Sequence, residues 1–159
     1  EMGLQSVCDM ACGHGAFLQE LAQQGLHCYG VDISHIRAEA SMLEQDDTSL
    51  CIKAGSVEQT GFADEMFDVV TIMECLEHVV DPFIVMSEIN RILKKGGYIM
   101  ATVPLHNHCD SSTHVRFFDM DALYSIAYLN GFTDIRIMAL PYLYCNIEES
   151  NLLLIGKKT

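Results

Sequence analysis

The sequence predicts an α/β fold, a doubly wound and mostly parallel sheet with helices on both faces. Three observations carry this expectation. Apolar runs of strand length alternate along the chain with segments whose apolar residues recur at helical spacing. The first run passes an acid, Asp9, and two glycines and then turns straight into a helical pattern. The second run also ends at an acid, Asp32. With 159 residues and no internal repeat, low-complexity tract or linker, the chain reads as a single domain spanning 1–159 with one core.

The first strand is the short apolar run from Val7 that ends in the acid Asp9, followed by a turn through Gly13 and Gly15. Phe17, Leu18, Leu21 and Ala22 then recur at helix spacing until Gly25 stops them. Glycines let such a turn run close beneath a ligand, and free N–H groups at the helix start suit a polar or anionic group. Cys28 to Ile33 is the second strand, Ser34 caps a helix to about Glu44, and Leu50 to Ala54 is the third strand. A loop from Gly61 to Met66 leads into the fourth strand, Phe67 to Met73. Asp81-Pro82 joins an N-cap acid to a proline at the first helical position, and Gly96-Gly97 is expected to end that helix. Tyr98 to Val103 is the fifth strand, and Pro104 halts it before a polar loop with His106, His108, Cys109 and His114. Asp119 caps a helix reaching Asn130-Gly131, and Ile135 to Leu140 and Leu152 to Gly156 complete seven strands.

The formal charge is −13, with only nine lysines and arginines. That balance argues against a phosphate-tracking nucleic-acid surface and against adsorption to anionic membranes. No apolar run approaches the ~20 residues of a membrane-spanning helix. The seven cysteines include no C-x-x-C pair, so reduced thiols and a cytoplasmic location are the expectation. Cys8 and Cys51 fall in strands expected to be buried.

A glycine turn after the first strand, paired with an acid at the end of the second, points to a nucleoside-containing cofactor whose ribose hydroxyls meet that acid. A nicotinamide dinucleotide fits less well, because Leu18 stands where its fingerprint wants a third glycine. These residues resemble the class I S-adenosylmethionine-dependent methyltransferases. Asp9 to Gly15 resembles the family's first motif, Asp32 its ribose acid, Phe67-Asp68-Val69-Val70 its fourth strand, and Leu93 to Gly97 the approach to its fifth. The resemblance implies an antiparallel last strand inserted between its neighbours, and an N-terminal helical segment that this chain lacks. It implies cofactor contacts at Asp9, Ala11, Gly13, Gly15, Asp32, Ile33, Ser56, Val57, Met73 and Glu74. Two positions depart from the pattern. Ala11 replaces a usual glycine, which alanine can do if its φ stays negative. Ser56 stands where many members have an acid.

Past the fourth strand the chain reads Glu74-Cys75-Leu76-Glu77-His78, at the sheet edge where α/β proteins bind ligands. Spacings of three and four put Glu74, Glu77 and His78 on one side of a helical turn. Two carboxylates and an imidazole suit Mg²⁺ or Mn²⁺, with His114 as a fourth ligand. The same segment resembles the metal-binding stretch of the ubiquinone-pathway O-methyltransferases and of the small-RNA 3′-end 2′-O-methyltransferases. His114 or His78 is the candidate general base, and Arg116 a candidate for orienting a substrate carboxylate. The reading is therefore methyl transfer to a small-molecule acceptor, at oxygen. A metal-dependent RNA 3′-end enzyme and a non-catalytic S-adenosylmethionine-binding module are the alternatives.

Overall fold

The computed structural model describes residues 3–34, 49–104, 113–141 and 150–159. The body of the helix expected after Ser34, and His106, His108 and Cys109, lie outside those residues. The described elements are β1 (Ser6–Met10), α1 (Ala16–Gln23), β2 (His27–Asp32), β3 (Leu50–Ala54), β4 (Phe67–Met73), α2 (Pro82–Ile92), β5 (Leu93–Pro104), α3 (Met120–Leu129), β6 (Phe132–Pro141) and β7 (Ser150–Lys158).

The strands form one sheet in the order β3-β2-β1-β4-β5-β7-β6. Of these strands only β7 runs against the rest, pairing antiparallel with β5 and with β6, as the resemblance implied. Alternation along the strands divides the core between two faces. On one face, Val7, Cys28, Ile52 and Val69 pack beneath Leu18 and Ala22 of α1. On the other, Cys8, Met10, Val70, Ile72 and Ile99 pack against Val85, Met86 and Ile89 of α2 and Leu123 and Ile126 of α3. Each fully buried Leu, Ile or Phe in these layers contributes about 1.5–3 kcal/mol. Register aligns Met10 with Val31 and with Ile72. The segments after β1, β2 and β4 therefore leave the sheet at one edge, and this edge carries the site.

Local chemistry sets the helix starts. Asp81 accepts the Phe83 N–H at 2.9 Å with Pro82 at the first position, and Asp119 accepts the Ala122 N–H at 2.7 Å. The end of α2 differs from expectation. It stops at Ile92, and Leu93 to Gly97 already belong to β5, with Leu93 paired to Phe67. Gly96 has φ 77° within that irregular strand start, and a Cβ on Gly97 would lie 2.9 Å from the Asp68 and Lys94 carbonyl oxygens. The two glycines let two strands approach each other; they do not cap the helix. Cys8 is buried as expected, but Cys51 is exposed because its side chain points away from α1 on the edge strand β3.

One buried polar network ties the loop before β4 to α2. Glu88 accepts the Thr60 N–H and hydroxyl at 2.8 and 2.6 Å and holds Arg91 through Nε and Nη2, both at 2.8 Å. Asp68 does comparable work at the start of β4, accepting the Gln5 and Ser6 N–H groups and the Lys94 ammonium. No described helix is long and apolar enough to cross a membrane.

Candidate functional site

The turn after β1 is bound to β2 by its backbone. The Ala11 and Cys12 N–H groups both donate to the Val31 carbonyl, at 2.8 and 3.2 Å. Sharing one acceptor forces the chain over, and Ala11 takes φ 63°, followed by Gly13 at 58° and Gly15 at 74°. The condition under which alanine fits without strain, a negative φ, is therefore not met. Alanine occupies a left-handed position at a cost of about 1–2 kcal/mol. Gly30 of β2 leaves room for this turn, since a Cβ there would meet Cys12 Sγ at 2.6 Å and Leu18 at 2.9 Å.

Asp32 sits at the centre of this edge. Its Oδ2 accepts the Gly13 N–H and its Oδ1 the Ser34 N–H, each at 2.9 Å. Each oxygen keeps a further acceptor position, so two hydroxyls can still be received. Asp32 lines a cleft of about 340 Å³ together with Ala11, Ile33, Ser56, Val57 and His78. Ile33 and Val80, both in its lining, stand 81% and 83% exposed. Glu58, Cys75, Val79 and Val80 complete the lining. Asp9, Gly13, Gly15, Met73 and Glu74 are not among the lining residues. Asp9 turns inward to accept the Thr71 hydroxyl at 2.6 Å, and burial pushes its carboxyl up to about 6, with the Asp32 charge adding to the effect.

Beside the cleft, Glu77, His78 and His114 each bring a ligand atom within 4.8 Å of the others. Three links assemble them. The Val115 N–H donates to the Glu77 carbonyl at 2.9 Å. His78 Nδ1 lies 3.1 Å from the Thr113 carbonyl, and if that nitrogen carries the proton, Nε2 keeps its lone pair towards Glu77 Oε1, 3.7 Å away. Arg116 Nη2 donates to the Val80 carbonyl. The segment from Thr113 to Arg116 is thus laced along the turn from Glu77 to Val80. Within the cluster, Glu77 Oε2 and His114 Nδ1 are buried with no hydrogen-bond partner. Burial pushes the Glu77 carboxyl up to about 7, with the Glu74 charge adding to it and His78 opposing.

The four-ligand expectation needs one correction. Glu74 lies outside the cluster because Glu74 to His78 is an irregular turn, not helix. Glu74 has φ 49° and its N–H is held on Thr102. Its Oε1 is nevertheless buried and unpartnered, and its charge reaches Glu77. Arg116 donates from Nη2 to the Val80 carbonyl, and its Nε is buried with no hydrogen-bond partner. Residues that the sequence did not single out are Cys75, Val79, Val80 and Glu58 in the cleft wall, Thr71 under Asp9, and Thr113 behind His78. Only position just past β4 could have marked the first three.

Residues 8–101, over half of the chain, match the family described as a methyltransferase domain. The ubiquinone biosynthesis O-methyltransferase of Pseudomonas aeruginosa is 33% identical over 98 residues, 60% of this chain and 42% of that protein. The counterpart in Pseudomonas fluorescens matches to the same extent. The chain thus spans less than half the length of these curated relatives. In fold, it superposes with TM-score 0.84 on a chain of the complex between the Haloferax volcanii Trm112 methyltransferase activator and a methyltransferase, at 20% identity, covering 96% of this chain and 81% of that one. A SAM-dependent methyltransferase from Thermotoga maritima gives 0.78 at 21% identity, covering 100% and 84%. The glycine turn over Asp32, the inserted antiparallel β7 and the family match agree: the chain belongs to the class I S-adenosylmethionine-dependent methyltransferases.

Proposed function

We propose that this domain transfers a methyl group from S-adenosylmethionine to a hydroxyl oxygen of a small-molecule acceptor in the cytoplasm, with Glu77, His78 and His114 holding Mg²⁺ or Mn²⁺. The cleft fits the cofactor. Asp32 keeps acceptor positions for ribose hydroxyls, and Ile33 and Val57 supply apolar walls for adenine. Bound there, S-adenosylmethionine would supply an electrophilic methyl group on a sulfonium. The cluster fits a divalent ion, and the observation that carries this part is the pair of buried, unpartnered ligand atoms, Glu77 Oε2 and His114 Nδ1. A carboxylate and two imidazoles are a suitable donor set for Mn²⁺ and acceptable for Mg²⁺. Such an ion would lower the pKa of an acceptor hydroxyl.

The chain's own residues then do the positioning. Asp32 and the Gly13 turn fix the nucleoside. His78 belongs to both the cleft wall and the cluster, so it sets the acceptor's oxygen against the methyl group, and such alignment supplies much of the rate of an in-line transfer. The names of the Pseudomonas relatives support oxygen as the accepting atom. The acidic surface favours a small acceptor over nucleic acid.

The test titrates Mn²⁺ into the protein and follows the loss of the free-ion electron paramagnetic signal. Wild type should take up one ion, and Glu77→Gln and His114→Ala should each weaken uptake at least tenfold, the scale of losing one ligand. Uptake unchanged in both variants, or full methyl transfer in excess chelator, contradicts the metal assignment.

A further inference from the structure

We propose that this chain forms a two-fold symmetric dimer through the outer faces of α2 and α3. The two helices lie on the same face of the sheet. Val85, Met86 and Ile89 of the one and Leu123 and Ile126 of the other enter a common core. Asn90 Nδ2 donates to the Asn130 carbonyl at 2.9 Å and ties their C-terminal ends together. The outer side of an ordinary surface helix is charged or polar. Here it is apolar. Phe83 and Ile84 of α2 and Met120, Tyr124, Tyr128 and Leu129 of α3 are each between 45% and 67% exposed. The Tyr124 and Tyr128 rings stack nearly parallel, with centroids 6.2 Å apart, and present one aromatic surface. The other exposed positions of the two helices are Ser87, Ala122, Ser125 and Asp121, so a single charge, in the first turn of α3, stands on the face. Glu88 and Arg91, the remaining charged residues of these helices, are bound to each other.

A second copy is the partner that this composition selects. Two chains of formal charge −13 repel wherever their acids face each other, and they repel least where the surface carries almost none. A two-fold axis sets the same patch against itself, so apolar side chains meet apolar side chains with no need for a partner of opposite charge. The size agrees. At roughly 200 Å² for each large apolar side chain, the six exposures come to about 600 Å² per copy. Two copies would bury about 1,200 Å², the lower bound for a specific interface. An apolar patch of about 600 Å² is also the upper end of what a monomer leaves in water. None of the six residues lines the cleft at Asp32, so the dimer leaves the cofactor site open and is independent of the reaction assigned to it.

Sedimentation equilibrium of the whole chain from about 1 to 200 µM tests the proposal. At the upper end wild type should reach twice the 17.7 kDa mass of one chain. Tyr128→Glu and Leu129→Lys add charges of opposite sign at exposed side chains of the face, and each should weaken association at least about tenfold. Met138 is exposed on β6, next to Ile137, which packs against the core, and therefore points to the other face of the sheet. Met138→Glu should leave association within about twofold of wild type. Circular dichroism checks that each variant is folded. A further readout needs no variant: raising salt from about 0.05 to 0.5 M should tighten the wild-type dimer, because it screens the repulsion between two acidic chains. A monomer at every concentration overturns the proposal. A dimer that survives both α3 substitutions, that Met138→Glu disrupts equally, or that salt dissociates overturns it as well.

Discussion

Asp9 is kept charged at a measurable cost, and replacing it with asparagine should make the free protein more stable. The side chain is 6% exposed and accepts the Thr71 hydroxyl at 2.6 Å. Burial raises its carboxyl from an ordinary 3.8 to about 6, against the lowering effect of the Thr71 bond. Because the folded value lies above the unfolded one, the associated stability is fully present below 3.8 and is lost as pH rises through 6. At pH 8 the folded chain therefore carries the whole cost of the buried charge, roughly 3 kcal/mol for a rise of this size. In an Asp9→Asn variant the amide oxygen can still accept from Thr71, and the side chain brings no charge. The variant should gain up to about 3 kcal/mol at pH 8, a rise of roughly 6–12 °C in Tm for a domain of this length, and almost nothing at pH 4. Thermal unfolding at the two pH values measures this, with urea titration as a second readout. A variant at or below wild-type stability at pH 8 refutes the reasoning. The same substitution should weaken binding of the sulfonium-bearing cofactor, since an acid retained at such cost beside a ligand site exchanges stability for function.

Three further outcomes follow from the same geometry. Ala11→Gly should stabilise the protein by about 1 kcal/mol, because φ 63° suits glycine; a loss of stability in urea titration would show that the turn is not strained. Glu88→Ala should cost about 3–5 kcal/mol, since Thr60 and Arg91 lose a buried charged partner, and a urea midpoint equal to wild type contradicts that. Asp68 and Glu88 are both held down to about 2, Asp68 by the Lys94 ammonium and the Gln5 and Ser6 donors against a burial effect that raises it, and Glu88 chiefly by Arg91. Their contribution is present above the ordinary carboxylate range and disappears as pH falls through 2. Acid unfolding followed by circular dichroism should therefore be shallower in Asp68→Asn than in wild type.

The sequence made the sheet legible because its strands are short apolar runs punctuated by residues with local jobs. Asp81-Pro82 and Asp119 cap helices through contacts two or three residues away, and such contacts are visible in a linear reading. Asp32 was legible for the same reason, as an acid where a strand ends. The end of α2 was not, because Gly96 and Gly97 are equally good helix stops and strand irregularities. The deciding contacts are the Leu93–Phe67 pairing and the Asp68 carbonyl, both made with a strand remote in the chain. The sign of φ at Ala11 was not legible, because nothing in the turn's own residues reveals that Val31 supplies one carbonyl to two N–H groups. At the site, the spacing of Glu77 and His78 was informative and His114 joined them as expected. The spacing overreached for Glu74, whose backbone Thr102 pulls into a left-handed turn. Arg116 could be recognised as a cation but not as a brace, since Val80 lies 36 residues away.

The central claim is that the cleft at Asp32 holds the nucleoside of S-adenosylmethionine. Isothermal titration of S-adenosylhomocysteine into wild type and Asp32→Ala tests it most directly, with Mn²⁺ present and absent. Removing the carboxylate loses charge-assisted hydrogen bonds to ribose worth about 1.5–3 kcal/mol, so binding should weaken by roughly tenfold to a hundredfold or more. Circular dichroism of the variant checks that it remains folded without its bonds to Gly13 and Ser34. A folded Asp32→Ala protein that binds S-adenosylhomocysteine as tightly as wild type would contradict the account.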